Sequence, residues 1–457
     1  MAAPRGEFSS RFGFLAAATG SAVGLGNIWG FPTNAASNGG AAFLFTYLAL
    51  VFVLAYPALM AELIIGRHAK ANAIDALRSI ARGPFSKYLG LLVGFGGILT
   101  VSFILSFYAV VSGWMMAHLL DPIVRVTGNI TGSTAPMGNV ANWLTTDDAS
   151  RNSLFVILFM LLTIHVIRAG VKEGIEKWAS RLMPSLLLIL FLLIIYVFTL
   201  PGAMEGLRNF LLPDVSRLAS RELLVSAMGQ AFFSLSLGVG TMLIYGSYIS
   251  KQENLPVVGS LVALLDVGIA VLAGLLILPA MYVALENGVA IFDENNVLID
   301  GPGLILTVLP ELFNNMGAIG LLVTFAFFAL MTIASLTSSI SMLEVPVAYA
   351  VEHHGASRPT AALVIGAVIT VMSVLIVLNF DLLFDLVVIS TTAISQPLLG
   401  LFFCLFAGWI WHRNGILEEI KLGSPEVERS LFWKIWPFYV KFICPVAILL
   451  VFYQEIF

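Results

Sequence analysis

Two short segments of the sequence, 21–27 and 234–240, place paired glycines beside side chains that could contact ions. Each segment has two glycines separated by one residue, with serine and, in the first, asparagine as neighbours. Glycine costs the interior of a helix about 1 kcal/mol and permits non-helical backbone angles, so both segments are expected to interrupt a helix. An interruption frees N–H groups, which attract an anion, and carbonyl oxygens, which are ligands for a hard cation. The pattern predicts a site for an anionic group and a small cation.

Both segments lie within long apolar stretches that could cross a membrane. Hydrophobic residues make up 59% of the 457 and charged residues 11%, with a mean hydropathy of +0.96. A soluble domain carries about 25% charged residues, so this composition indicates a membrane protein. Each stretch has about 18 residues or more, enough to cross the hydrocarbon as a helix. The eleven predicted spans, numbered in chain order as spans 1 to 11, are 12–36, 41–66, 89–119, 153–170, 182–201, 223–249, 256–284, 317–351, 360–379, 383–411 and 432–456.

A glycine pair inside a membrane helix can be a notch for close helix packing or part of a binding site. The copies in spans 1 and 6 favour a site, because glycine interruptions in matching positions of two halves point to a transporter site at mid-membrane. Unwound backbone is tolerated there only where it lines a cavity or holds a ligand. We therefore expect a single transporter domain, 1–457, with one repeat at about 8–201, a second at about 222–411 and an extra span at about 432–456.

The distribution of Lys and Arg predicts the orientation in the membrane. Most of them lie in loops on the side of the N-terminus, whereas the opposite loops hold only Arg125, Arg151, Arg208, Arg217 and Arg221. Because cytoplasmic loops carry the excess of positive charge, we expect a multi-pass protein of the cell (inner) membrane with its N-terminus in the cytoplasm and its C-terminus outside. The net charge of −4 and the absence of a basic patch give no sign of a nucleic-acid partner. No obligatory protein partner is inferred.

Three stretches resemble the signatures of one family. Residues 20–43, with Ala-Val-Gly-Leu-Gly-Asn at 22–27, resemble the first span of the neurotransmitter:sodium symporter family, while 232–238 resemble its sixth span and 334–339 its eighth. The resemblance follows nearly the whole chain in order. Within the family, the chain is similar to prokaryotic eleven-span transporters of hydrophobic amino acids. It implies an all-α membrane protein with a leucine-transporter-like 5+5 inverted repeat, eleven transmembrane helices, and helices 1 and 6 unwound at mid-membrane.

The same resemblance implies two sodium sites, built mainly from backbone and hydroxyl oxygens. The first would use the Ala22 carbonyl, Asn27, Ser234, Asp266 and the carboxylate of the substrate. The second would use the carbonyls of Gly20, Val23 and Ala334 and the hydroxyls of Thr337 and Ser338.

Asp266 is an acid within a span, which is a functional hypothesis by default, although a purely structural hydrogen bond is the alternative. Some family members need chloride near Tyr47, Gln230 and Ser234 to balance the sodium charge. A carboxylate at position 266 can supply that negative charge itself. Transport without chloride is therefore expected.

The substrate site implied by the resemblance joins spans 1, 3, 6 and 8. Gly24 leaves room for a substrate carboxylate, where relatives that carry monoamines tend to have aspartate, so an amino acid is implied. The carboxylate would meet Tyr108 and the amides of Leu25 and Gly26. The pocket is mostly apolar without a fixed charge, and Val239 replaces a bulkier aromatic residue, which favours a hydrophobic or small neutral amino acid. The expected substrate-binding residues are Ser21, Ala22, Gly24, Leu25, Gly26, Ile104, Tyr108, Phe233, Ser234, Ser236, Val239, Ser338 and Met342.

The inner side of the chain also shows family features. Arg5 and Phe8 resemble an inner gate, with Glu352 as the partner carboxylate, and ordinary juxtamembrane charges are the alternative. Gly174 and Pro184 resemble a feature that lets span 5 unwind inward, and a loop glycine with a helix proline is the alternative.

The outer gate departs from the family. Gly30 stands where an arginine commonly pairs with an aspartate of span 10, here Asp385, so that salt bridge is not expected. Closure would depend on Tyr108 and Phe233. Two further acids within spans, Glu62 and Glu344, are expected to bond to neighbouring backbone, with a role in coupling as the alternative. 

The function expected from these features is sodium-coupled uptake of a neutral, hydrophobic amino acid by alternating access. Another small carboxylated amine, such as a betaine- or GABA-like solute, is the alternative within transport. A channel would need a continuous polar path, whereas the polar residues group around one site at mid-membrane. An enzyme is not expected, because the six histidines are scattered and form no HExxH or nucleophile–base pattern,.

Overall fold

The computed structural model describes residues 6–212, 220–291 and 303–456, which contain helices and connecting turns but no extended strand. These helices are Arg11–Ala22, Gly26–Ser37, Ala41–Ala69, Ala73–Ser79, Pro84–Thr131, Thr134–Thr145, Ala149–Arg168, Val171–Val197, Ala203–Leu211, Arg221–Ser234, Thr241–Ser247, Leu255–Glu286, Leu304–Asn314, Ala318–His354, Arg358–Leu378, Phe380–Ile410, Arg413–Lys421 and 431–456.

Within those three ranges, nine helices are long and apolar enough to cross a membrane, and the bent pair Arg11–Ala22 and Gly26–Ser37 makes a tenth. They correspond to every predicted span except span 6. Span 6 is divided into Arg221–Ser234 and Thr241–Ser247, and neither half is long enough to cross by itself,. The all-α architecture is confirmed, and both spans that carry paired glycines are interrupted.

The two interrupted spans lie inside the bundle. Span 1 packs against spans 5, 7 and 8, and span 6 packs against span 2. Peripheral helices such as Arg358–Leu378 instead expose aliphatic side chains, with Val368 and Leu378 more than half exposed. Such a face suits lipid tails, which are as apolar as leucine itself. The bundle therefore surrounds the irregular backbone with protein, as a membrane interior requires.

Local hydrogen bonds determine where several helices begin. Ser10 Oγ accepts from the Gly13 amide at 2.9 Å and starts the helix of span 1,. In the same way, Asp148 Oδ1 accepts from the Ser150 amide at 2.8 Å where span 4 begins. The helix of span 3, Pro84–Thr131, is longer than the predicted 89–119. The helix continues past the apolar run, and an i,i+4 ion pair between Asp121 and Arg125 supports this extension,.

Candidate functional site

Span 1 is interrupted where the sequence predicts it. The helix Arg11–Ala22 ends, Val23 is extended with φ −77° and ψ 98°, and the chain resumes as Gly26–Ser37 after a bend of 57°. A Cβ atom at Gly24 would lie 2.6 Å from both the Ser338 hydroxyl and the Tyr108 hydroxyl. A Cβ atom at Gly26 would lie 2.7 Å from the Phe233 ring. Neither glycine has a positive φ, so here glycine permits close approach and not an unusual backbone angle.

In the interruption of span 6, glycine provides unusual backbone angles. Between Arg221–Ser234 and Thr241–Ser247, three residues have left-handed backbone angles: Ser236 with φ 52°, Gly238 with φ 81° and Gly240 with φ 79°. Glycine adopts this region without a steric cost. Serine does so less readily, and the Ser236 hydroxyl donates a hydrogen bond of 2.9 Å to the Ser21 carbonyl. That bond joins the interruption of span 6 to that of span 1.

The two intramembrane acids outside the predicted sodium site have different partners. Glu62 Oε1 accepts a hydrogen bond of 2.7 Å from the Gly238 amide, so this acid does bond to the irregular backbone of span 6. Glu344 was expected to bond to backbone and instead contacts side chains. It accepts from the Tyr248 hydroxyl at 2.5 Å and pairs with Arg358. A partly exposed guanidinium thus pairs with Glu344, which the sequence prediction did not foresee because Arg358 lies beyond the end of span 8.

One cavity lies between the interruptions and contains most of the expected substrate residues. Every residue expected to bind substrate lines it except Ser234, which instead contacts Asp266. The sequence analysis missed two further lining residues, Val101 and Gln396. Val101 is three residues before Ile104 on one helix, so helical spacing could have found it. For Gln396, the only sign in the sequence was a polar residue inside the apolar span 10.

A hydroxyl and a backbone amide meet at the wall of this cavity. The Leu25 N–H donates to the Tyr108 hydroxyl oxygen at 3.1 Å, and both residues are buried. The Tyr108 oxygen accepts this bond, so its own proton can be donated to another acceptor. A carboxylate is a suitable acceptor for the proton of this buried tyrosine hydroxyl.

The side chains of the first predicted sodium site form one buried cluster. Asn27 Nδ2 donates to Ser234 Oγ at 2.8 Å and to Asp266 Oδ1 at 2.7 Å. Ser234 Oγ donates to Asp266 Oδ2 at 2.8 Å, and the Tyr47 hydroxyl lies 3.4 Å from the same oxygen. Asp266 is fully buried and forms no ion pair with a Lys, Arg or His in the described part of the chain. A buried carboxylate without a basic partner is stabilised by a bound cation or by a proton.

The second predicted sodium site contains a group of converging oxygens. Ser338 Oγ lies 3.3 Å from the Gly20 carbonyl oxygen, 3.2 Å from that of Ser21 and 3.4 Å from that of Val23. The neighbouring Thr337 hydroxyl lies 3.0 Å from the carbonyl oxygen of Ala334. The Gly20 and Val23 carbonyls of span 1 therefore lie near Ser338 of span 8, and the Ser21 carbonyl, which was not among the predicted ligands, lies beside them.

At the side predicted to face the cytoplasm, Phe8 is buried and contacts three aromatic rings, and its amide donates to the Tyr248 carbonyl at 3.1 Å. Glu352 accepts from the Asn72 amide at 2.7 Å. The predicted gate partner Arg5 lies outside the described residues. Gly174 lies in the continuous helix Val171–Val197, where a Cβ atom would be 2.1 Å from the Val166 carbonyl oxygen, so in this structure the glycine serves close packing.

On the predicted outer side, Gly30 lies beside the amide side chain of Gln230 and not beside a carboxylate. A Cβ atom there would lie 3.3 Å from Gln230 Oε1, and Gln230 Nε2 donates to the Gly26 carbonyl at 2.8 Å. Asp385 is exposed and pairs with no basic side chain in ranges 6–212, 220–291 and 303–456. Four rings from spans 3 and 10 lie close together in its neighbourhood. They are Phe107, Trp114, Phe380 and Phe384.

Comparison with known proteins agrees with this geometry. A model of the sodium:neurotransmitter symporter family matches residues 5–128 and 144–457. An uncharacterized sodium-dependent transporter of Bacillus subtilis is 32% identical over 98% of this chain and 96% of its own length. The taurine transporter of Bos taurus is 27% identical over 67% of this chain and 54% of its own length. The crystal structure of MhsT in complex with L-phenylalanine has a TM-score of 0.83 at 36% identity, over 99% of this chain and 100% of that one.

The fold and its interrupted helices define a secondary transporter of the membrane and not an enzyme. The chain belongs to the sodium:neurotransmitter symporter family and has the leucine-transporter fold. It is a sodium-dependent transporter.

Proposed function

We propose that this chain couples the inward movement of sodium to the uptake of a neutral, hydrophobic amino acid by alternating access. The observation that carries the proposal is the cavity between the two interruptions, where the Leu25 amide meets the Tyr108 hydroxyl and the remaining wall is largely apolar. The polar groups suit the carboxylate of an amino acid. The apolar wall, with Ile104, Val239 and Met342, suits a hydrophobic side chain. MhsT bound to L-phenylalanine, a similar protein, supports this assignment.

The coupling ions would occupy two sites beside the cavity. At the first, Asn27, Ser234 and Asp266 would bind a sodium ion together with the Ala22 carbonyl and the substrate carboxylate, so sodium and substrate would stabilise each other. At the second, the carbonyls of spans 1 and 8 and the hydroxyls of Thr337 and Ser338 would surround the other ion. Ser338 lines the substrate cavity as well.

The test is uptake by purified protein in liposomes with an inward sodium gradient. Accumulation of a labelled hydrophobic amino acid above equilibrium, saturable and dependent on sodium, is the expected result. Flux that never exceeds equilibrium would indicate a channel instead. Relatives in this comparison carry the names of taurine and creatine transporters, whose solutes are small zwitterions. Another small carboxylated amine is therefore the second candidate. Failure of L-amino acids to compete with such a solute would favour it.

Transport is proposed not to require chloride, because Asp266 supplies a negative charge beside Ser234 and Tyr47. Replacing chloride with gluconate in the liposome assay is expected to leave uptake unchanged. An Asp266→Asn variant removes that charge and is expected to weaken the dependence on sodium or to acquire a requirement for chloride. A wild-type protein that is inactive without chloride contradicts this part of the proposal.

We further propose one transporter domain with its N-terminus in the cytoplasm and its C-terminus outside the cell membrane, acting without an obligatory protein partner. The repeats of about 8–201 and 222–411 each contain one interrupted span, and 431–456 follows as an extra helix. Accessibility of single cysteines introduced into successive loops tests this orientation.

A further inference from the structure

Gln396 is a buried amide in span 10 whose two polar atoms differ in their contacts. Its side chain is 3% exposed. Nε2 donates a hydrogen bond of 2.9 Å to the Leu237 carbonyl in the interruption of span 6. Oε1 has no hydrogen-bond partner. The bond to Leu237 requires a donor, so it fixes the orientation of the amide and leaves the acceptor oxygen as the free atom.

The free acceptor belongs to a residue that lines the substrate cavity. Gln396 shares that wall with Val101, Ile104 and Val239, none of which has a side chain that can donate a hydrogen bond. The serine hydroxyls of the same cavity already donate elsewhere, and the proposed function assigns the Tyr108 hydroxyl to the substrate carboxylate. Ser21 Oγ donates to Ser341 at 2.7 Å, Ser236 Oγ donates to the Ser21 carbonyl, and Ser338 Oγ donates to carbonyls of span 1.

A buried acceptor without a donor costs about 1–3 kcal/mol. A ligand that brings an N–H or O–H group to this wall removes the cost, while a ligand of equal shape without a donor does not. The amino and carboxylate groups are assigned by the proposed function to the two interruptions, and the inference rests on that assignment. The part of the substrate left for Gln396 is its side chain.

We propose that Gln396 is a specificity-determining residue, selecting large apolar amino acids whose ring carries a hydrogen-bond donor. An indole N–H is a donor only and therefore complements a lone acceptor, and a tyrosine hydroxyl can donate as well. The chain accordingly binds tryptophan and tyrosine more tightly than ring analogues of the same size that lack the donor. Phenylalanine ranks below tyrosine.

The experiment measures sodium-dependent binding to the purified full chain in nanodiscs, with L-tryptophan and L-3-benzothienylalanine as ligands. The second ligand replaces the indole N–H with sulfur and keeps the shape. Tryptophan is expected to bind about tenfold more tightly, as one hydrogen bond to a buried acceptor predicts. In Gln396→Met the ratio is expected to fall to about one, because methionine offers no strong acceptor for the indole N–H.

Val101→Ala is the matched control, because it alters the same wall without changing a polar atom. It is expected to weaken both ligands alike and to leave their ratio unchanged. The pair of ligands also tests the wild-type protein directly, so the inference is decided even if Gln396→Met fails to fold.

Equal binding of both ligands to the wild-type chain, with sodium dependence intact, overturns the inference and leaves the proposed function standing. In that case water satisfies Gln396 Oε1. Failure of every amino acid to bind in the presence of sodium overturns the proposed function itself.

Discussion

At the scale of single residues, Gly24 and Gly26 lie where the backbone of span 1 meets side chains of three other helices. Ser338, Tyr108 and Phe233 approach so closely that a methyl group at either glycine would overlap one of them. In span 6, Gly238 serves both purposes, because its φ is positive and a Cβ atom would lie 2.2 Å from the Gln396 carbonyl oxygen. Because these glycines have no side chain, the backbone of both interruptions lies directly against the cavity and can contact a small ligand.

Gly24→Ala is expected to weaken substrate binding by about tenfold or more. The added methyl group displaces Tyr108 or Ser338, and overpacking of this kind costs about 1–3 kcal/mol. Gly268→Ala is the matched control, since that span 7 position has no atom within 4 Å of an added Cβ. Sodium-dependent binding of a hydrophobic amino acid measures both variants. Unchanged affinity in Gly24→Ala would show that the substrate does not use this contact.

At the scale of helices, the start of span 1 is held by the start of span 5. The Ser9 amide donates to Glu176 Oε2 at 2.8 Å, and the hydroxyls of Ser9 and Ser10 donate to Oε1 at 2.7 Å and 3.1 Å. Glu176 is buried and sits beside the N-terminal end of the helix Arg11–Ala22, where negative charge is stabilising,. Movement of either helix therefore affects the other.

Glu176→Ala is expected to increase amide hydrogen exchange in Arg11–Ala22, because three hydrogen bonds that hold its first turn are removed. Glu173→Ala provides the control. That residue is in the same segment but is exposed, and it accepts a hydrogen bond of 3.0 Å from Lys177. Exchange that rises equally in both variants, or in neither, contradicts a specific role for Glu176.

The inner loop helix Arg413–Lys421 is attached to the bundle by Glu419. This acid accepts from Arg67 Nε at 2.9 Å, lies 3.1 Å from His68 Nδ1 and accepts from Lys251 Nζ at 2.9 Å. Burial alone would raise its pKa, but the hydrogen bonds from His68 and Lys251 and the charge of Arg67 outweigh burial and lower the pKa to about 2. The attachment is therefore present above the ordinary pKa of glutamate and is lost as pH falls toward about 2.

Glu419→Gln is expected to lower the thermal unfolding temperature of the detergent-solubilised protein at pH 7. The difference from wild type should shrink as pH falls from about 4.5 toward about 2, because the carboxylate of the unfolded chain gains a proton first and the folded carboxylate does so only near pH 2,. Glu418→Gln, at an exposed neighbour, is expected to match wild type at each pH. A difference that stays constant from pH 7 to pH 3 would contradict the role given to the carboxylate.

At the scale of the whole molecule, closure of the outer side lacks the arginine–aspartate pair common in the family. Gly30 provides no charge, and Asp385 forms no ion pair with a described residue. Instead, the Phe384 ring lies 4.6 Å from Phe380 and 6.0 Å from Phe107 of span 3. Because no ion pair among the described residues joins spans 3 and 10, these spans can separate without breaking a buried ion pair,.

Phe384→Ala is expected to speed dissociation of the substrate toward the outside by several-fold, because it removes ring contacts worth about 0.5–1.5 kcal/mol each. Asp385→Asn, the adjacent change, is expected to leave dissociation unchanged. Dissociation of a labelled amino acid from protein in nanodiscs measures both. A larger effect of Asp385→Asn would mean that its charge has a partner in the closed outer gate.

The membrane class, the interruptions of spans 1 and 6 and the position of Asp266 as an acid inside a span could all be predicted from residue types and spacing. Each depends on local properties: the length of an apolar run, the cost of glycine in a helix, and the cost of an acid in hydrocarbon. The family resemblance then implied nearly all the residues that line the cavity.

Only the tertiary structure decided the contacts between residues far apart in sequence. Gln396 meets Leu237 across 159 positions, Glu62 meets Gly238 across 176, and Glu176 meets Ser9 across 167. No local pattern encodes these pairs, because each depends on which helix faces pack together. The same packing decided that Gly24 and Gly26 permit close approach of other side chains, whereas Gly240 provides a left-handed backbone angle and Gly238 does both. Their types were visible in the sequence, but their physical roles depend on the neighbours that packing brings within contact.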